Sequence, residues 1–124
     1  MIPIFRAKKL DSDEYVKGWY SSPILISGKL YVSITNTDGE FSIDTTTLSI
    51  HFPDMIDSQG NKIFASLQED GKGGDIFILG DIRLKYIAMI SKNQLMAKQQ
   101  GTYGSFIGQG YATVDKWKSI GIQQ

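Results

Sequence analysis

Between Leu30 and Pro53 the chain reads Leu30-Tyr31-Val32-Ser33-Ile34, Asn36-Thr37-Asp38-Gly39-Glu40, Phe41-Ser42-Ile43-Asp44 and, past three threonines, Leu48-Ser49-Ile50-His51-Phe52-Pro53. Apolar and polar residues alternate with period two, the spacing that sends successive side chains to opposite faces of a sheet. The Asp38-Gly39 pair interrupts the alternation where a hairpin needs positive φ. Strands are therefore expected over 30–34, 41–44 and 48–52, with Leu48, Ile50 and Phe52 on one face. Pro53 closes the last strand because it has no N–H to give a ladder. His51 alternates away from its apolar neighbours and is expected to face solvent.

The same pattern runs outward in both directions. Ile2 to Ala7, a polar turn at Leu10–Glu14, and Tyr15-Val16-Lys17-Gly18-Trp19-Tyr20 read as a hairpin. Arg6 falls with Ile2 and Ile4, and Phe5 with Ala7. Pro23–Ile26 and the strand from Leu30 are separated by Ser27-Gly28-Lys29, read as a three-residue loop. After the turn Asp57-Ser58-Gln59-Gly60-Asn61, the segment Lys62–Leu67 fits either a short strand or one helical turn. Ile76–Leu79, Ile82–Ile90 after Gly80-Asp81, and Gln94–Ala97 after Lys92-Asn93 follow as strands. Gly101 to Gly110 reads as a loop or irregular lid, and Val114–Ile122 as a closing edge strand. Roughly nine or ten short strands at spacings of about 8–12 residues suggest a mainly β chain. A small, strongly bent barrel of SH3-like character with additional strands, and little helix, is the expected architecture.

The 124 residues carry 13 Lys+Arg against 13 Asp+Glu, one His and no Cys, and 41% are hydrophobic. That length and apolar fraction fit one domain over 1–124. Zero net charge withdraws the simplest argument for nucleic acid or an anionic membrane, since phosphate affinity rests on excess Lys and Arg. Without Cys there is no disulfide framework, thiolate zinc site, iron–sulfur cluster or thiol nucleophile. A single His excludes two-His metal sites and leaves Ser–His–Asp catalysis dependent on one position. The start, MIPIFRAKKL, is charged too early for a signal peptide, and no run approaches the ~20 apolar residues of a membrane span. A cytoplasmic protein with no cofactor and no metal is expected.

Three groups of residues invite a functional reading. Asp70, Lys72, Gly73, Gly74 and Asp75, with Gly71 among them, form the densest turn composition in the chain. Consecutive flexible N–H groups can make an anion-binding nest, and Lys72 adds charge. The P-loop pattern is not met and two carboxylates flank the loop, so a hairpin or strand-entry turn explains it with fewer requirements. Asp54, Asp57, Gly60 and Asn61 suggest calcium by ligand type, but EF-hand spacing fails, and Asp and Asn side chains build such turns by themselves. Tyr15, Trp19, Tyr20, Tyr31 and Phe41 could stack bases, although core and barrel-mouth roles account for them and only Arg6 and Arg83 are arginines.

Several segments, taken in order, resemble the YopX family of small bacteriophage and prophage proteins. They are Ile4-Phe5-Arg6-Ala7, Tyr15–Tyr20, Ile43-Asp44 with Thr47-Leu48, Asp57–Phe64, Gly74-Asp75-Ile76-Phe77 and Ser119-Ile120-Gly121-Ile122. The resemblance spans nearly the whole chain, with Glu69 to Gly73 inserted ahead of the Gly-Asp pair. It implies a mainly β fold with SH3-like barrel character and a phage or prophage setting, and it brings no catalytic residue.

Two functions are then weighed. One is a non-enzymatic phage accessory protein in the bacterial cytoplasm that forms a homo-oligomer and binds another protein through an exposed strand edge or loop face. The alternative is a protein that sequesters a small nucleotide and so counters a bacterial defence, with Asp70–Asp75 at its pocket. An enzyme would need carboxylate-only acid–base or metal chemistry, which nothing in the sequence suggests.

Overall fold

The computed structural model describes residues 4–21, 24–79, 85–91, 94–99, 106–109 and 117–124. Its strands are β1 (Ile4–Lys9), β2 (Tyr15–Tyr20), β3 (Ile24–Ile26), β4 (Lys29–Tyr31), β5 (Ser33–Asn36) and β6 (Gly39–His51), followed by β7 (Ala65–Ser66), β8 (Asp75–Leu79), β9 (Tyr86–Ser91), β10 (Gln94–Gln99), β11 (Phe106–Gln109) and β12 (Trp117–Ile122). The described residues contain no helix, so none of them is a helix long and apolar enough to cross a membrane. The mainly β expectation stands. Ten strands form one sheet, and β3 with β4 forms a second, two-stranded one.

The first half of the large sheet closes on itself. β1 pairs antiparallel with β2, placing Ala7 opposite Val16. β2 passes to β5 through Trp19 and Tyr20, and β5 turns into β6 with Asn36 opposite Gly39. β6 then returns to β1. These strands supply one core, in which Ala7, Val16, Val32, Ile34 and Ile43 are buried and Phe5, Phe41 and Leu48 pack against them.

The two strands expected over 41–44 and 48–52 are a single strand of 13 residues, β6. Its register with β1 shifts, so that Arg6 lies opposite Ser49 while Lys8 lies opposite Asp44. The threonines take up the slack. The Lys8 N–H donates to Thr47 Oγ1 at 2.8 Å, and the Thr47 hydroxyl donates to the Asp44 carbonyl at 2.7 Å. A bulge of this kind bends a strand without ending it.

The second half hangs from the far end of β6. β7 pairs antiparallel with β6 and parallel with β9, which settles the Lys62–Leu67 ambiguity in favour of a short strand. β9 pairs with both β10 and β8, and β8 with β12. A second core gathers Met55, Ile63, Ala65, Phe77, Ala88 and Leu95, among others.

Two local expectations are corrected. The Ser27 loop has two residues, since Ile26 pairs with Lys29, and Ser27 (φ 51°) and Gly28 (φ 78°) take the doubly positive geometry of a type I′ turn. Within Gly101–Gly110, Phe106–Gln109 is strand β11 and pairs with β10; the ladder partner is supplied by a remote strand that local composition cannot show. Gly80-Asp81, Ile82–Leu84, Lys92-Asn93 and Val114–Lys116 lie outside the described residues.

The approach of the two halves is set by glycine. A Cβ on Gly73, whose φ is +86°, would collide with the Thr47 carbonyl, and one on Gly74 would collide with the Ala88 carbonyl, whereas Gly60, at φ +82°, faces open space. Gly73→Ala is expected to cost about 3 kcal/mol or more, from steric overlap added to backbone strain. Gly60→Ala should cost only the left-handed backbone penalty of about 1–2 kcal/mol. Urea unfolding of the two variants checks the contrast, and equal losses would refute the close-approach account.

Candidate functional site

Charge is buried where the two halves meet. Arg6 on β1 and Asp75 at the start of β8 are each at least nine-tenths buried, and Arg6 Nη2 lies 2.8 Å from Asp75 Oδ1. The same nitrogen donates to the Gly73 carbonyl at 2.7 Å. Asp75 Oδ2 accepts the Phe64 N–H at 2.9 Å, and the Asp75 N–H donates to the Phe64 carbonyl at 2.8 Å. The Arg6 guanidinium sits 4.6 Å from the centre of the Phe64 ring. Lys17, directly opposite Arg6 in the β1–β2 register, brings its ammonium within 5.3 Å of that ring. Like charges facing each other across a ladder repel, and here an aromatic face and one carboxylate offset them.

Burial pushes the Asp75 carboxyl above its ordinary pKa, and the Arg6 charge and the Phe64 N–H offset only part of that rise. Arg6 Nε and the Tyr15 hydroxyl are buried without a hydrogen-bond partner among the described residues. Removing one member of such a pair strands the other as an uncompensated buried charge, which costs about 3–5 kcal/mol. Arg6→Met and Asp75→Asn should each lose stability on that scale, while Arg6→Met with Asp75→Leu should lose clearly less than the sum. Denaturant melts of the double-mutant cycle measure the coupling; strict additivity would mean that the pair is not energetically joined.

His51 is the clearest correction to the sequence reading. It is buried, not solvent-facing, because the β6 face opposite Ile50 is itself covered. Nδ1 lies 2.9 Å from the Ile63 carbonyl, which can only accept, so Nδ1 carries the proton. The ring packs against Phe64 with centroids 5.5 Å apart. Burial holds the imidazole pKa below its ordinary 6.5, with Lys62 adding to the shift and the Ile63 bond, Asp54 and Asp75 opposing it. A group whose folded pKa is depressed leaves the unfolded chain binding more protons, so its stabilising contribution is complete above 6.5 and declines as pH falls below it. Stability is expected to drop as pH falls below about 6.5, and His51→Gln, which leaves Asp75 in place, should flatten the slope. Parallel pH–stability curves for the two proteins would contradict this.

The predicted loop residues separate into different roles. Gly73 and Gly74 are buried, Asp75 turns inward to Arg6, and Asp70 is exposed. The N–H groups along the loop are donated within the chain: Lys72 to Asp70 Oδ1 at 3.0 Å, Gly73 to the Gln123 carbonyl at 2.8 Å and Gly74 to the Gly71 carbonyl at 3.1 Å. The Lys72 carbonyl accepts the Ser66 hydroxyl at 2.7 Å. In the Asp57 turn, the Asp57 carboxylate accepts the N–H groups of Gln59 at 2.9 Å, Asn61 at 2.8 Å and Ser119 at 3.2 Å. Burial works to raise its pKa, but these donors outweigh it and leave the carboxyl below its ordinary value. Among the described residues no three His, Asp or Glu side chains gather as a metal site.

Arg6 is the residue whose importance the sequence concealed. The available signal was an arginine set between Phe5 and Ala7 in an apolar strand, matched by a Gly-Gly-Asp strand entry. The aromatics divide as well, since Phe41 packs on the first core while Trp19 and Tyr20 are 52% and 40% exposed. Compared with known proteins, the chain matches no family model, no curated protein and no solved structure.

Proposed function

We propose that this chain is a non-enzymatic phage or prophage accessory protein that works by binding another protein in the bacterial cytoplasm. The supporting observation is the contrast between its buried and exposed groups. Arg6, His51, Asp57 and Asp75 are buried and bonded within the chain. Large apolar side chains instead stand in solvent, with Trp19 and Tyr20 at the end of β2 and Leu25, 69% exposed, on β3.

β3 and β4 form their own two-stranded sheet. Within the described residues each therefore keeps one strand edge unpaired. An open edge beside exposed apolar side chains is suited to strand addition, in which main-chain bonds give affinity and side chains give selectivity. A second copy of the chain is one partner such an edge accepts, which brings a homo-oligomer within the reading. The phage setting, and an SH3-like barrel for the closed pairing of β1, β2, β5 and β6, rest on the YopX-like order of motifs.

Affinity capture from host cells, with wild type set against Trp19→Ser/Leu25→Lys, tests the reading. A protein, or the chain itself, should be retained by wild type and lost at least about tenfold in the variant, as truncation of a binding hot spot predicts. Equal recovery on both would defeat it. Thermal stabilisation by nucleoside phosphates without any variant-sensitive capture would favour sequestration of a small anion instead.

A further inference from the structure

The β1–β2 loop and the first half of β6 meet at one end of the closed ring. The Leu10 N–H donates to the Ser42 carbonyl at 3.0 Å, extending the pairing beyond β1. A groove of about 290 Å³ opens there, lined by Leu10, Asp11, Glu40, Phe41 and Ser42. Small-molecule sites usually run from about 300 to 1,000 Å³, so this groove stands at the small end of that range and has room for a long side chain.

Its chemistry selects which one. Leu10 is 53% exposed and forms an apolar wall with Phe41. The neighbouring carboxylates each have a lysine beside them, Asp13 with Lys8 at 3.5 Å and Glu14 with Lys9 at 3.2 Å. Asp11 and Glu40 have no cation partner among the described residues, and Glu40 Oε1 accepts only the Ser33 hydroxyl, at 2.8 Å. The Phe41 ring itself attracts positive charge: the Lys9 ammonium lies 4.4 Å from its centre.

An apolar wall, an aromatic ring that already draws a cation and two unneutralised carboxylates complement a side chain with an aliphatic stem and a cationic head. We propose that this groove receives a lysine or arginine side chain presented by a partner protein, its stem against Leu10 and Phe41 and its head between Asp11 and Glu40. The inference rests on the protein-binding reading above and gives it a point of recognition separate from Trp19 and Leu25.

The test titrates acetyl-Ala-Arg-Ala-amide, and its lysine, norleucine and glutamate analogues, into the isotope-labelled full chain. The amide signals of Leu10, Asp11, Glu40, Phe41 and Ser42 are followed by NMR. The arginine and lysine peptides should move these signals saturably at millimolar concentration, and the other two should not. Asp11→Asn/Glu40→Gln should weaken binding about fivefold or more, as loss of paired charge predicts; Gln keeps the acceptor for Ser33. Asp13→Asn, which removes a charge at the same end outside the groove, should change little. An equal loss in Asp13→Asn, no loss in the double variant, or no movement of these signals would overturn the assignment. Should that happen while Trp19→Ser/Leu25→Lys still loses its partner, the groove assignment fails and the protein-binding reading survives.

Discussion

The buried pairing of Arg6 with Asp75 governs how the rest of the molecule is put together. It takes a cation from the closed ring of β1, β2, β5 and β6 and a carboxylate from the entry to β8, and it seats both against Phe64. Such a pair is tolerated only where its geometry is good and the remaining lone pairs are met. The glycines before Asp75 supply that geometry. Gly73 offers its carbonyl to Arg6 and, lacking a Cβ, lets the chain pass beneath Thr47. Hydrophobic burial fills the two cores on either side, but it is non-directional; the charge pair fixes which part of β8 meets which part of β1.

This arrangement also explains the distribution of charge at the surface. A neutral chain that holds Arg6 and the carboxylates of Asp57 and Asp75 indoors presents a surface whose remaining charges are unevenly shared. Lys8 and Lys9 are occupied by Asp13 and Glu14, so the end of the ring bearing Asp11 and Glu40 has an acidic character that total charge does not reveal. Net charge speaks to solubility and bulk attraction, whereas a partner meets local charge.

Much of the fold was legible because period-two alternation and turn chemistry are local. Phe5 and Ala7 fall on one face, Asp38-Gly39 marks the β5–β6 hairpin, and the Lys92-Asn93 break separates two strands that do pair. Apart from the length of the Ser27 turn, the failures concern what a strand meets. β6 looked like two strands because Thr45-Thr46-Thr47 is polar, and only pairing with β1 across a bulge carries it through. His51 looked exposed because alternation says which side a residue faces and not whether that side is covered. The Gly71–Gly74 segment showed its flexibility plainly, but glycine serves an anion nest and a close crossing of two backbones equally well. The difference lies in Thr47, Ala88 and Gln123, all distant in sequence. Arg6 was placed on the correct face, but its partner stands 69 positions further along the chain.

The position of Gly73 has a consequence for how the protein is made. Its carbonyl is held by Arg6, and its N–H by Gln123. Arg6 thus waits for a residue 67 positions further along, and that residue waits for Gln123, far beyond it in sequence. Contacts between such remote parts must meet the cost of closing long loops before they are rewarded, which makes assembly slow. During that wait the edge of β8 that β12 comes to cover is open to neighbouring chains, the kind of transient exposure that favours aggregation.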